Sequence, residues 1–233
     1  MAKSYYSLGC GLSRAEAIAG WCYLPFYLVL LSVLLQHLFR ALQIPLDSIV
    51  LNIAYFSVNL AAVLLIFHCF LRQRFFGESL WEFLQACILG FVFYQAGTWA
   101  VQFAVTKLGG TLEIYNNDTV EGMVLQNRYV MLAISVVLAP VIEETLLRGL
   151  VFGSIRAASR PMAYITSIFI FTMMHNWQYF GLYPFGSMLL SCLAYVPASA
   201  ALCWTYEKAG TIWAPITIHA IINAISFGIV VLP

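Results

Sequence analysis

Hydrophobic positions in this chain come in long unbroken stretches, not at the two-residue period of strands or as the narrow stripe of a soluble helix. The stretches are Ile18 to Phe39, Ile49 to Leu71, Phe83 to Val105, Tyr129 to Leu147 and beyond, Ala163 to Phe180, Phe185 to Thr205, and Thr211 to Leu232. Each approaches the ~20 apolar residues with which a helix crosses a bilayer. The pattern predicts an all-α fold, a polytopic transmembrane helical bundle of about seven crossings. Pro184 and Pro197 would allow an eighth, short or re-entrant segment by splitting the sixth stretch. Ser13 followed by Glu16 has the spacing of a capping box and sets the start of the first helix.

The segment from Lys107 to Arg128 holds Gly109-Gly110, Asn116-Asn117-Asp118, Glu113 and Glu121, a composition that predicts a polar, irregular loop. It divides the chain into residues 1–128, with three crossings and the loop, and residues 129–233. The halves show no match to each other, which weighs against an inverted-repeat transporter.

Composition agrees with the bilayer reading: 62% of residues are hydrophobic and 9% charged, where soluble domains carry about 25% charged residues. A net charge of +1 without a basic cluster excludes nucleic acid as a partner and leaves lipid and a peptide or protein substrate. Cys10, Cys22, Cys69, Cys87, Cys192 and Cys203 are scattered, without a C-x-x-C pair, and read as reduced packing residues. No cleavable secretion signal is expected, so the first crossing should persist as an anchor. A cytoplasmic N-terminus puts Lys3, Arg14, Arg72, Arg74, Arg148, Arg156, Arg160 and Lys208 on or toward the inner side, and only Arg40, Lys107 and Arg128 outside. The expected location is a bacterial inner membrane, with the N-terminus in and the C-terminus out. Asn117-Asp118-Thr119 has the form of a glycosylation sequon, a triplet common by chance.

An ionisable side chain within a span costs at least ~2.5 kcal/mol, which makes it a functional candidate. These are Glu143, Glu144 and Arg148 in the fourth stretch, His175 beside Asn176 in the fifth, and His219 with Asn223 in the seventh. Glu144 and Arg148 are four residues apart and can pair, while Glu143 is turned about 100° away and stays uncommitted. His219 and Asn223 share a face, as do Phe171 and His175, so three helices can converge on one polar pocket. Pro140 and Pro215 each remove a backbone donor just ahead of these residues and can open their helices to water. Against this, Glu144 with Arg148 reads as a buried ion pair that orients the helices, and a lone intramembrane His or Asn is usually an interhelical hydrogen-bonding group. Together with Glu143 the set favours chemistry. His37 and His68, near the ends of their stretches, read as interfacial or packing residues, and Phe171 as packing. Counted at ~1.5 Å per residue from the inner ends, His175 lies deeper than His219.

Glu143 to Gly149 reads E-E-x-x-x-R-G, Phe171 to His175 reads F-x-x-x-H, and His219 to Asn223 reads H-x-x-x-N. Gly210 to His219 adds G-x-x-W-x-P-I-x-x-H. This ordered set resembles the CAAX protease and bacteriocin-processing (CPBP) family of intramembrane endopeptidases, over about Tyr129 to Phe227. The resemblance implies a catalytic transmembrane domain at 129–233 and hydrolysis of a peptide bond, the substrate being a prenylated peptide or a leader or signal peptide. It implies Glu143 as general base activating a water with help from His175, His219 and Asn223 stabilising the oxyanion, Glu144 and Arg148 in support, and no metal or other cofactor. A carboxylate in a low-dielectric cavity is a stronger base than a solvated one, and one oxyanion donor is worth ~3 kcal/mol. Members commonly have eight crossings.

A serine peptidase would need a Ser beside a His, and Ser167, Ser187 and Ser191 show no such motif. Zinc remains the competing mechanism, since two His and a Glu can bind it, although H-E-x-x-H is missing. A non-proteolytic scaffold or immunity protein on the same fold, and a small transporter using the same charges, are the readings from other classes.

Overall fold

The computed structural model describes residues 11–73 and 75–231, without the side chains of 229–231. Lys3, Cys10, Arg74 and Leu232 therefore lie outside the described residues. These are arranged in eight helices: α1 (Arg14–Ala41), α2 (Ser48–Ile66), α3 (Leu80–Lys107), α4 (Tyr115–Gln126), α5 (Arg128–Arg156), α6 (Arg160–Asn176), α7 (Phe185–Ala209) and α8 (Trp213–Val231). The fold is an all-α helical bundle, as the apolar stretches predict, with no strand among the described residues beyond an isolated bridge between Phe180 and Tyr183. Helices α1, α2, α3, α5 and α7 are long and apolar enough to cross a membrane, whereas α6 has 17 residues and α8 is a shorter apolar helix. Pro184 caps α7 and Pro197 sits within it without breaking it, so the sixth stretch is one helix.

Local chemistry sets the ends. Ser13 and Glu16 form the capping box, and Glu16 also accepts the Phe70 N–H at 2.8 Å, tying the start of α1 to the turn after α2. Asp47, Ser79 and Ser159 cap α2, α3 and α6. At the far end of α7, Gly210 adopts φ 62°, the left-handed conformation that stops a helix.

The segment expected to be an irregular loop instead contains α4. Its Met123 and Val124 pack with Met131, Ile134 and Phe227, while Tyr115 stacks on Tyr183 at 3.7 Å between ring centroids. The Thr119 and Tyr179 hydroxyls are hydrogen-bonded at 2.7 Å. Tertiary burial thus orders a stretch whose local composition favours turns. The sequon Asn117 is part of this helix.

Helix α5 is the axis of the bundle. Its residues from Ile142 to Gly153 are all buried, and its side chains share the main core with Leu24 and Tyr27 of α1, Val63 of α2, Phe171 of α6 and Cys203 of α7. Outward positions such as Leu65, Trp81, Phe93 and Trp99 are exposed apolar side chains, the arrangement expected of a bundle solvated by lipid. His37 and His68 are exposed. Cys192 and Cys203 are buried, but Cys22 and Cys69 lie on the exposed surface; none of the five described cysteines is in a disulfide. At one end of the bundle Arg156 and Arg160 converge on Glu207 at 2.7 and 2.8 Å.

Helix α3 lies along α7 at a distance only small residues permit. A Cβ on Gly90 would collide with the Thr205 hydroxyl and the Ile218 side chain, whereas Gly122 on α4 has open space around it. Gly90→Val should lower stability by ~1–3 kcal/mol, read as an earlier thermal unfolding midpoint in detergent, while Gly122→Ala does not lower it.

Candidate active site

The site is built on two departures of α5 from regular α-helix. Residues Ala133–Leu138 and Thr145–Phe152 are wound as π-helix, and the α-helical turn Ala139–Glu144 lies between them. At the end of the first π segment the Ala139 N–H bonds five residues back, to the Ile134 carbonyl. The next donor would be residue 140, and it is a proline. Pro140 has no N–H, so the Ser135 carbonyl is left without a backbone donor. The Asn223 side chain of α8 supplies one, its Nδ2 donating to Ser135 O at 2.7 Å. The proline that the sequence marks as a helix opener thus anchors the asparagine. Pro215, by contrast, lies in the first turn of α8, where an N–H would have no intrahelical acceptor, and it produces no kink in the helix interior.

On the next turn, Glu144 and Arg148 are paired as their spacing predicts, Nη1 to Oε1 at 2.9 Å, and neither side chain is exposed. Arg148 Nη2 also donates to the Ser199 hydroxyl at 2.9 Å and its carbonyl at 3.2 Å. The guanidinium lies over the Phe171 ring, 4.6 Å from its centroid. The same Glu144 Oε1 holds His219 Nδ1 at 2.7 Å. A carboxylate oxygen can only accept, so Nδ1 carries the proton and Nε2 is turned to Glu143, 3.9 Å from its Oε2. A chain of three charged or polar groups therefore fixes the imidazole. Ser199, and Phe171 as a partner of Arg148, are contributions the residue spacing did not reveal; Ser199 is an inconspicuous hydroxyl in an apolar helix.

Glu143 faces the other way. It is 6% exposed, its Oε2 accepts no hydrogen bond, and it lines a cavity of about 730 Å³. His175, His219 and Asn223 line the same cavity, whereas Glu144 and Arg148 stand behind it. His175 Nδ1 lies 2.8 Å from the Phe171 carbonyl and so donates to it, which leaves Nε2 as the acceptor of a neutral ring. The ring is held on the other side by stacking on Tyr195, centroids 4.6 Å apart. The depth difference expected between the two histidines does not separate them: both pack against Phe171, at 4.6 and 6.0 Å between centroids. Among the described residues, no group of three or more His, Cys, Asp or Glu is arranged to hold a metal ion.

Half of the cavity wall comes from the region before α5, which the motifs do not touch. Tyr27 of α1, Tyr55 of α2 and Asn116 of α4 all line it. Tyr27 and Tyr55 are held by a ladder in which Tyr55 donates to the Tyr27 carbonyl at 2.7 Å and the Tyr27 hydroxyl donates to Met174 Sδ at 3.2 Å, beside His175. No motif announces these tyrosines; an aromatic in an apolar run reads as packing.

Removing Arg148 strands a buried carboxylate, so Arg148→Ala should cost ~3–5 kcal/mol, measured by thermal or denaturant unfolding in detergent. Loss of less than ~1 kcal/mol would mean that Glu144 is not charged in the folded protein.

Residues 125–225 match the family model described as Rce1-like, type II CAAX prenyl endopeptidase Rce1-like, a stretch that contains all six motif residues. No curated protein and no solved structure matches the chain.

Proposed function

We propose that this chain, an integral membrane protein whose residues 125–225 are an Rce1-like type II CAAX prenyl endopeptidase domain, hydrolyses a peptide bond within the membrane by a glutamate-activated water. The observation that carries the reading is that Glu143, His175, His219 and Asn223, from three helices, line one cavity with their donors and acceptors already sorted. Glu143 Oε2 and His175 Nε2 are the acceptors that would hold a water between them. Glu143 takes its proton as the oxygen attacks the scissile carbonyl. The N–H of Asn223 not engaged by Ser135, with His219 protonated at Nε2, donates to the oxyanion. Collapse of the tetrahedral intermediate returns the Glu143 proton to the leaving amine. No side-chain nucleophile and no metal take part. Glu144 and Arg148 act through His219, whose orientation they fix.

In this reading residues 129–233 form the catalytic domain, while 1–128 supply the opposite wall of the cavity. The substrate is a peptide or protein segment, prenylated or of the leader or signal type, and the bilayer is the second partner. A cytoplasmic N-terminus would turn the cavity mouth, at the end of the bundle opposite Arg156 and Arg160, to the outer side of a bacterial inner membrane.

With purified protein and a library of quenched fluorescent peptides, some lipidated, Glu143→Ala should abolish cleavage, and chelator should leave the wild type unaffected. Chelator-sensitive cleavage restored by zinc would move the reaction to a metal. No cleavage of any peptide by the wild type would favour a scaffold. Pro140→Ala should give Ser135 O a backbone donor and release Asn223, lowering kcat about tenfold at unchanged KM; a kcat equal to wild type would separate Asn223 from that carbonyl.

A further inference from the structure

The ring and the hydroxyl of Tyr195, on α7, have separate accounts in this fold. The ring stacks on His175, its centroid 4.6 Å away and its plane inclined by 28°, and packs on Phe171 at 6.2 Å. These contacts hold the imidazole, and a phenylalanine would make them equally well. The hydroxyl adds nothing to them. It is shielded from water and has no hydrogen-bond partner in the protein. Asn116 of α4 comes near it, outside hydrogen-bonding geometry. A buried hydroxyl left without a partner is destabilising, so the packing of the ring does not explain why this residue is a tyrosine.

Of the buried polar atoms without a partner among the described residues, two belong to residues of the cavity wall: Glu143 Oε2 and the Tyr195 hydroxyl. The first is an acceptor, the second a donor. In the endopeptidase reading above, on which this inference rests, Glu143 and His175 hold the attacking water, and His219 and Asn223 of α8 hold the oxyanion. Tyr195 enters from a different helix, beside His175, and so meets a different oxygen. An extended peptide presents a main-chain carbonyl every ~3.3 Å, and each one that leaves water needs a donor.

We propose that the Tyr195 hydroxyl binds the main chain of the substrate, donating to the carbonyl of a residue within two positions of the scissile bond. Because the same ring packs on His175, this bond sets the register of the peptide against the imidazole that holds the water. The residue lies between the second and third motifs and belongs to neither.

Tyr195→Phe keeps the ring and removes the hydroxyl. It should raise KM about fivefold with little change in kcat, while the thermal unfolding midpoint of the substrate-free protein stays the same or rises. A hydroxyl with a structural role, for instance one held by Asn116, would give the opposite pair, a lower midpoint and an unchanged KM, and that result overturns the proposal. The acceptor is located with peptides in which one carbonyl oxygen at a time, on either side of the scissile bond, is replaced by sulfur, a weak acceptor, with cleavage followed by mass spectrometry. At one position the replacement should lower kcat/KM of the wild type about fivefold and leave Tyr195→Phe indifferent. Equal losses in both proteins at every position overturn the main-chain contact. Cleavage of no peptide by the wild type, with none in the wider library, overturns the endopeptidase reading and this one with it.

Discussion

Arg148 is a full positive charge with no exposed surface, in the middle of an apolar bundle. Its neutralisation is the constraint around which the remaining structure is arranged. An unpaired cation there would cost far more than a domain's whole margin of stability, so the guanidinium is held by Glu144 at Nη1, by Ser199 at Nη2 and by the Phe171 ring over its face, and its Nε alone makes no hydrogen bond. Because Glu144 spends the same oxygen on His219, the pair that stabilises α5 against α7 also aims the imidazole of α8. Stability and site geometry are thus one network, which ties together four helices.

The second device is backbone register. Two π segments widen α5 on either side of the glutamates, and Pro140 turns the first of them into a source of one unpaired carbonyl. Asn223 takes that carbonyl, so its amide is fixed without any charged partner. The result is a division of labour on a single helix: Glu144 and Arg148 face the packed interior, and Glu143, one residue earlier, faces the cavity. π-Helical turns carry poorer hydrogen-bond geometry than regular helix, and their placement beside the candidate catalytic residues fits their frequent use at functional sites.

Much of this was legible in the residues. Apolar runs gave the helices almost to their ends, since a bilayer helix has to satisfy its backbone internally. The four-residue spacings of Glu144 with Arg148 and of Phe171 with His175 gave the shared faces, because helical geometry alone decides them. What escaped depends on contacts between distant segments. Helix α4 owes its order to Tyr183, Tyr179, Met131 and Phe227, none of which its own composition announces. Ser199 and Tyr27 look like ordinary residues of apolar helices until the fold sets them beside Arg148 and Met174. The histidines, counted to different depths, meet because each helix enters the bundle at its own level and both rings pack on Phe171.

The central claim is that water, activated by Glu143, attacks the peptide bond directly. A single turnover in heavy-oxygen water, followed by mass spectrometry of both product and enzyme, tests it most directly. Direct attack predicts heavy oxygen in the new C-terminal carboxylate of the product and none in the enzyme fragment that contains Glu143. Label in the Glu143 carboxylate would mean that the glutamate itself attacks and forms an acyl intermediate, and would contradict the account.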